Sequence, residues 1–172
     1  MKVLIIYATR GGLSKKCAEL LRDSLPKVME VSLFDARHDA LPSPDGYDVA
    51  VVGGSIRMGK LDKKLKKYIK KYTAELSAIH TAAFICCGHT DLFDEYRDIE
   101  FSKALNCSLG IHCFGGELKP EKLKGFDKLI MKMIRSSVKY EDFEVSYSSK
   151  DSLPEMLPET VTRLADRIRD LL

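Results

Sequence analysis

The chain opens on Val3-Leu4-Ile5-Ile6-Tyr7-Ala8-Thr9-Arg10-Gly11-Gly12-Leu13-Ser14, in which an apolar run leads into a polar, glycine-rich segment. A short continuous apolar run such as residues 3–7 is typical of a strand that is buried on both faces. From Ser14 onward the apolar residues recur with a helical period. Four of them would lie on one side of the helix, namely Cys17, Ala18, Leu21 and Leu25. Residues 1–18 therefore predict a buried strand, a loop and a helix in succession.

The loop at residues 9–14 has the layout of a phosphate-binding site. Glycine lets a ligand approach the backbone, and the first N–H groups of a helix are unpaired and favour an anion. No Walker lysine follows the glycines and no G-x-G-x-x-G is present, which argues against a nucleoside triphosphate or a dinucleotide. A tight strand-to-helix turn without a ligand is the alternative interpretation.

The same segment resembles the loop with which flavodoxins wrap the phosphate of FMN, whose pattern is Thr/Ser-x-Thr-Gly-x-Thr. Thr9, Gly12 and Ser14 fall on matching positions, and Gly11 stands where a hydroxyl residue is usual. The resemblance implies a non-covalently bound FMN. It also implies the residues that hold the phosphate, which are Thr9, Arg10, Gly11, Gly12, Leu13 and Ser14.

The composition is that of one globular domain in a reducing compartment. The chain has 172 residues, of which 45% are hydrophobic and 31% charged. No apolar run approaches the ~20 residues that span a bilayer, and the N-terminus lacks a signal-peptide pattern. The five cysteines form no C-x-x-C. A cytoplasmic protein is therefore expected, and the adjacent Cys86 and Cys87, which are the candidate redox pair, should point to opposite faces of a strand.

Strand and helix patterns alternate five times along the chain, which favours a parallel sheet covered on both sides. The predicted strands are residues 3–7, 28–34, 48–52, 82–87 and 108–114. The predicted helices begin near residues 14, 61, 94, 118 and 158, and strand character resumes at residues 143–147. The flavodoxin resemblance implies a single-domain, three-layer α/β sandwich over residues 1–172. Its five-stranded parallel sheet has the order 2-1-3-4-5, with an insertion in the last strand region at about residues 117–142.

Two further segments resemble one flavodoxin-like family, the menaquinone-dependent protoporphyrinogen dehydrogenases. Gly53-Gly54-Ser55-Ile56-Arg57-Met58-Gly59 resembles their Gly-x-Ser-Ile-Arg-Tyr-Gly loop, with Met58 in the place of the tyrosine. Residues 126–133 resemble a segment of their insertion. The resemblance implies an oxidoreductase of heme biosynthesis that converts protoporphyrinogen IX to protoporphyrin IX and passes electrons to a quinone. Because residues 88–93 and the helix after them match this family poorly, an electron carrier without its own substrate is the alternative.

Three loops leave the carboxyl ends of the predicted strands, where a ligand of such a sheet binds: the first at Thr9–Ser14, the second at Gly54–Lys60 and the third at Gly88–Phe93. By resemblance the second loop meets the flavin through Ser55, Ile56, Arg57, Met58 and Gly59. The third loop meets it through Gly88, His89, Thr90, Asp91 and Phe93. The alternatives are an ordinary turn for the second loop, a solvated Arg57, a helix cap at Thr90 and Asp91, and a bystander His89. No catalytic residue is identified, and no metal site is predicted.

Basic residues define the expected partners. The formal net charge is +3, and residues 118–137 carry six basic and two acidic side chains along a helical pattern. A basic amphipathic helix indicates either binding to a membrane surface or a partner, or a solvated face over a core stripe. The expected partners are a redox protein or a quinone, with association at the inner face of the membrane through the basic insertion. Nucleic acid is not expected, because no aromatic platform is interleaved with the bases.

Overall fold

A computed structural model describes residues 1–88, 90–101, 105–116 and 155–172 of the chain. Five parallel strands form one sheet in the order β2-β1-β3-β4-β5, as predicted. The strands are β1 (Lys2–Ala8), β2 (Glu30–Asp35), β3 (Val49–Ser55), β4 (His80–Cys86) and β5 (Gly110–Cys113). The flavodoxin-like α/β architecture is therefore confirmed.

Helices cover both faces of the sheet. They are α1 (Leu13–Ser24), α2 (Lys63–Lys71), α3 (Thr73–Ala78), α4 (Phe93–Glu100) and α5 (Pro158–Arg169), with a 3-10 turn at Thr90–Leu92. Alternate residues of β1 enter separate cores because successive strand side chains point to opposite faces. In the first core Ile5 packs with the apolar faces of α1 and α5, and in the second core Ile6 packs with those of α2 and α3.

The boundaries differ from the predicted ones in two informative places. β3 continues through Gly53 and Gly54 to Ser55, where the sequence pattern predicted an end at residue 52. The helix predicted from residue 61 is divided at Tyr72, which caps α2 and begins α3. The helix predicted at residues 118–140, the strand at residues 143–147 and the insertion lie outside the described residues, so the single-domain organisation stays a prediction.

A charge pair links the two helices that follow the second and third loops. The Nζ atom of Lys66 on α2 lies 2.7 Å from Oε2 of Glu100 on α4. The Glu100 side chain is only 1% exposed, and its Oε2 accepts no hydrogen bond from the described residues. The ammonium group therefore compensates a carboxylate that would be costly to bury alone. The remaining lysines of α2 are exposed, namely Lys63, Lys64, Lys67, Lys70 and Lys71.

Candidate functional site

The first loop joins β1 to α1 and leaves its outer side open. Gly12 occupies the N-cap position of α1 with φ of 95°, a left-handed conformation that glycine adopts without strain. The Gly12 backbone N–H donates to Thr9 Oγ1 at 2.9 Å, which closes the turn. A Cβ atom built on Gly11 or Gly12 would meet no described atom within 4 Å. Among the described residues no side chain caps this helix start, so its N–H groups can receive an anion.

The six residues predicted for this loop divide into an open and a buried set. Thr9, Arg10, Gly11 and Gly12 form the accessible turn, whereas Leu13 and Ser14 are buried. The Oγ atom of Ser14 lies 2.6 Å from Oγ of Ser55 at the end of β3. Ser14 thus joins the first loop to the second, and its side chain does not line the open side.

Arg10 belongs to a charged cluster beside the first loop. Its Nε atom lies 3.9 Å from Oδ2 of Asp62, and Nη1 of Arg37 lies 3.7 Å from the same oxygen. The other oxygen of Asp62 accepts a 2.9 Å hydrogen bond from the Lys64 backbone N–H and so caps α2. The cluster holds positive charge beside the helix start that is open to an anion. The sequence did not identify Arg37 or Asp62 as residues of this site. Asp62 could have been recognised as a helix cap, because aspartate is a preferred N-cap residue and a helical pattern follows it.

The second loop is a tight hairpin with a strained residue at its tip. Arg57 and Lys60 exchange two backbone hydrogen bonds, of 2.9 and 3.1 Å. Met58 and Gly59 between them have φ of 50° and 72°, and two positive values are what a type I′ turn requires. The Met58 side chain is 73% exposed although it is large and apolar. The Ile56 N–H donates to the Cys86 carbonyl at 2.9 Å, which anchors the hairpin to β4.

The third loop follows β4 and leads into α4. Gly88 is exposed, Thr90 and Asp91 lie in the 3-10 turn, and the N-cap position of α4 is Leu92. Phe93 is half-buried against the second core, and the Arg97 guanidinium lies 6.0 Å from its ring centroid. His89 lies outside the described residues. Phe93 is therefore the ring-bearing side chain that the described part of this loop offers.

Strand register brings the three loops to one edge of the sheet. Ala8 is paired with Gly54 on β3, and Ser55 is paired with Cys86 on β4. β1 lies between β2 and β3, so the chain leaves β1 and β3 in opposite directions across the sheet. That reversal creates the crevice in which ligands of open α/β sheets bind. The predicted site residues that the structure describes are thus gathered at a single edge.

The described part of the chain contains no group of three or more His, Cys, Asp or Glu side chains placed to hold a metal ion. Within the same residues, no helix is both long and apolar enough to cross a membrane.

Comparisons with known proteins agree with this architecture. The family model of the flavodoxin domain matches residues 4–144. Protoporphyrinogen IX dehydrogenase (quinone) of Escherichia coli (strain K12) is 27% identical over 85 residues, which are 49% of this chain and 47% of that protein. The chain thus matches about half the length of this curated relative.

Two solved structures share the fold across nearly the whole chain. A flavodoxin of Streptococcus pneumonia TIGR4 superposes with a TM-score of 0.57 and 11% identity, covering 100% of both chains. An FMN-dependent NADH-azoreductase from Bacillus anthracis, solved in complex with FMN, superposes with a TM-score of 0.50 and 12% identity over 98% of this chain and 100% of that one. At these identities the likeness establishes the fold.

Proposed function

The chain belongs to the flavodoxin domain family, and from this we propose that it binds FMN and uses it to oxidise protoporphyrinogen IX, with a quinone as electron acceptor. The observation that carries the cofactor assignment is the open, uncapped start of α1 behind Gly12. Support for the substrate comes from the E. coli relative and from the Ser55-Ile56-Arg57 loop. FMN would supply a group that takes up electrons and releases them to an acceptor.

The first loop fits the phosphate end of that cofactor. Backbone N–H groups at a helix start, the helix dipole and a nearby guanidinium all favour a dianion. Arg10 supplies the guanidinium, held beside the loop by Asp62. Gly11 and Gly12 leave room for the phosphate because neither presents a side chain.

The second loop suits the ring and the substrate. Met58 projects from a rigid turn at the same strand edge, and a thioether packs favourably against an aromatic face. Gly59 can reverse its peptide plane at low cost because it has no Cβ atom. In this proposal Arg57 faces a propionate of the porphyrinogen, which its planar fork suits.

The acceptor side of the proposal rests on charge. α2 follows the second loop and presents exposed lysines along its outer face. Such a surface attracts anionic headgroups, at about 1 kcal/mol for each lysine close to the membrane. We extend the proposal to peripheral association with a quinone-bearing membrane, through α2 and the basic residues 118–137, which lie outside the described residues.

Replacing Met58 with glycine should change stability and flavin affinity in opposite directions. The free energy of unfolding of the flavin-free protein should rise by about 0.5 to 1 kcal/mol. Glycine avoids the steric penalty that a Cβ atom meets at positive φ, and this gain outweighs the extra conformational entropy that glycine gives the unfolded chain. The dissociation constant for FMN should rise about three- to tenfold with the loss of the contact between thioether and ring. Urea unfolding and fluorescence titration measure the two effects.

Met58→Leu is the matched control for this substitution, since it keeps the bulk and the strained φ but removes the sulfur. It should leave stability unchanged and weaken FMN less than the glycine variant does. An FMN affinity that is equal in all three proteins would show that Met58 does not touch the flavin.

A simple electron carrier is the second candidate function. The third loop favours it, because residues 88–93 match the protoporphyrinogen dehydrogenases poorly in the region that would contact a substrate. A carrier would be reduced and reoxidised by protein partners and would leave porphyrinogens untouched.

Anaerobic turnover of protoporphyrinogen IX by the FMN-loaded full chain tests the enzyme against the carrier. With a menaquinone analogue present, porphyrin fluorescence should rise at a rate that depends on both the quinone and the bound FMN. The flavin-free protein measures the background oxidation. A yellow, reducible protein that forms no porphyrin above this background would be a carrier, and a protein that stays colourless with FMN would contradict both functions.

A further inference from the structure

Two pairs of cysteine thiols lie on opposite sides of the sheet. Cys86 and Cys87 are adjacent in sequence, and Cys86 enters the first core whereas Cys87 enters the second. The sulfur of Cys86 lies 3.9 Å from that of Cys17 on α1. The sulfur of Cys87 lies 4.0 Å from that of Cys113, the last residue of β5. Each adjacent cysteine therefore faces a partner that is distant in sequence.

The two pairs differ in their access to solvent. Cys17 and Cys86 are 0% and 2% exposed, so no reagent reaches their sulfurs in the folded protein. Cys113 is partly exposed, whereas Cys87 is only 4% exposed. The second pair thus combines one accessible thiol with one sheltered thiol, as a reactive cysteine and its resolving partner require.

Hydrogen bonding polarises the second pair. The hydrogen bond that Cys113 shares with Cys87 lowers the pKa of Cys113 to about 7, opposed by burial and aided by a backbone hydrogen bond at Gly115. The pKa of Cys87 is raised by the same hydrogen bond and by burial. The hydrogen bond to Cys17 and burial together raise the pKa of Cys86, and burial raises the pKa of Cys107 to about 11. Because the thiolate is the nucleophile, Cys113 has the most reactive sulfur of these four.

We propose that Cys113 is a peroxide-reactive cysteine and that Cys87 resolves its oxidised form into an intramolecular disulfide between the ends of β4 and β5. The Cys113 thiolate attacks the terminal oxygen of a hydroperoxide; the S–O bond forms, the O–O bond breaks, and the alkoxide or hydroxide that leaves takes a proton from water. The sulfur of Cys87 then attacks the sulfenic sulfur of Cys113. The S–S bond forms and the S–O bond of the sulfenic acid breaks. The hydroxide that leaves takes the proton of the Cys87 thiol and becomes water.

The location of the pair permits the closure. The two sulfurs must approach from 4.0 Å to about 2.05 Å. Cys87 lies just beyond the last residue of β4, where its backbone N–H donates to the Gly115 carbonyl at 2.9 Å, so the approach must come from rotation of the two cysteine side chains. The disulfide would then tie the start of this loop to β5. This proposal does not depend on the identity of the cofactor or of the substrate.

Hydrogen peroxide treatment of the full-length native protein, followed by peptide mapping without reduction, tests the proposal. Free thiols should fall from the five of the reduced chain to three, with one peptide pair joined through Cys87 and Cys113. Cys17 and Cys86 are the control for sulfur separation, since they are equally close but inaccessible. A disulfide between Cys17 and Cys86, one between two chains, or five free thiols would overturn the proposal.

Trapping of the intermediate separates the two roles. In Cys87→Ser, dimedone should label Cys113 as the sulfenic acid and no disulfide should form. Cys107 is also partly exposed, with the opposite shift in its pKa, and should stay unlabelled. Labelling of Cys107 in place of Cys113 would overturn the assignment. Because the wild-type mapping needs no substitution, it decides the question even if this variant folds poorly.

Discussion

Replacing Gly12 with valine should abolish FMN binding while the sheet still folds. Gly12 has φ of 95° at the head of α1, and a side chain there would extend into the open space where the phosphate would lie. A β-branched residue also resists positive φ and would turn the adjacent N–H groups away. Loss of two charge-assisted hydrogen bonds at about 1.5–3 kcal/mol each corresponds to a dissociation constant raised at least about 100-fold.

Fluorescence titration with FMN measures this effect, and two glycines of the same chain provide matched controls. Gly46 has φ of 82° and open surroundings, but it lies between β2 and β3. Gly46→Val therefore carries the same backbone strain away from the loop and should bind FMN normally. Gly11→Ala adds one methyl group beside the phosphate without backbone strain, since Gly11 has no positive φ, and should weaken FMN binding less than Gly12→Val does. Undiminished yellow colour in Gly12→Val would refute the phosphate assignment.

Replacing Gly53 with alanine should lower the free energy of unfolding by about 3 kcal/mol, the upper end of the usual cost of overpacking a core. A Cβ atom at this position would lie 2.3 Å from Cδ1 of Phe84 and 2.4 Å from its carbonyl oxygen. Phe84 cannot retreat, because it is fully buried and its ring stacks on Phe114 at a centroid distance of 4.7 Å. The strands β3 and β4 would have to separate.

Urea unfolding of the flavin-free protein measures this loss. Gly11→Ala makes the same chemical change on the open first loop and should stay within about 0.5 kcal/mol of the wild type. If Gly53→Ala were as stable as that control, the close pairing of Gly53 with Phe84 would be wrong.

The elements that the sequence predicted best are those whose signal is local. The apolar run at residues 3–7 and the glycines after it identify β1, the loop and α1 without reference to the rest of the chain. The end of β3 was missed because Gly53 and Gly54 are poor strand formers. Their place in the strand depends on Phe84 and Ala8 across the sheet, which a local pattern does not contain. The break at Tyr72 likewise has no glycine or proline to mark it.

In the candidate site, too, local features were predictable and contacts between distant residues were not. The positions of the loops follow from where the strands end, whereas the partners of the side chains depend on how the strands and helices pack. The contact of Ser14 with Ser55 joins residues 41 positions apart, and that of Cys87 with Cys113 joins residues 26 apart. The opposite directions of Cys86 and Cys87, by contrast, are a matter of strand period and were predicted correctly.

The lysine-rich face of α2 has a kinetic consequence. Six of its nine residues are lysine, and none is acidic, so a positive potential extends from this helix into solvent. Such a field speeds the diffusional encounter of negatively charged molecules and slows that of positively charged ones, within a Debye length of about 8 Å at physiological ionic strength. Association rates at this face should therefore be higher for anionic molecules than for cationic ones, and added salt should remove the difference.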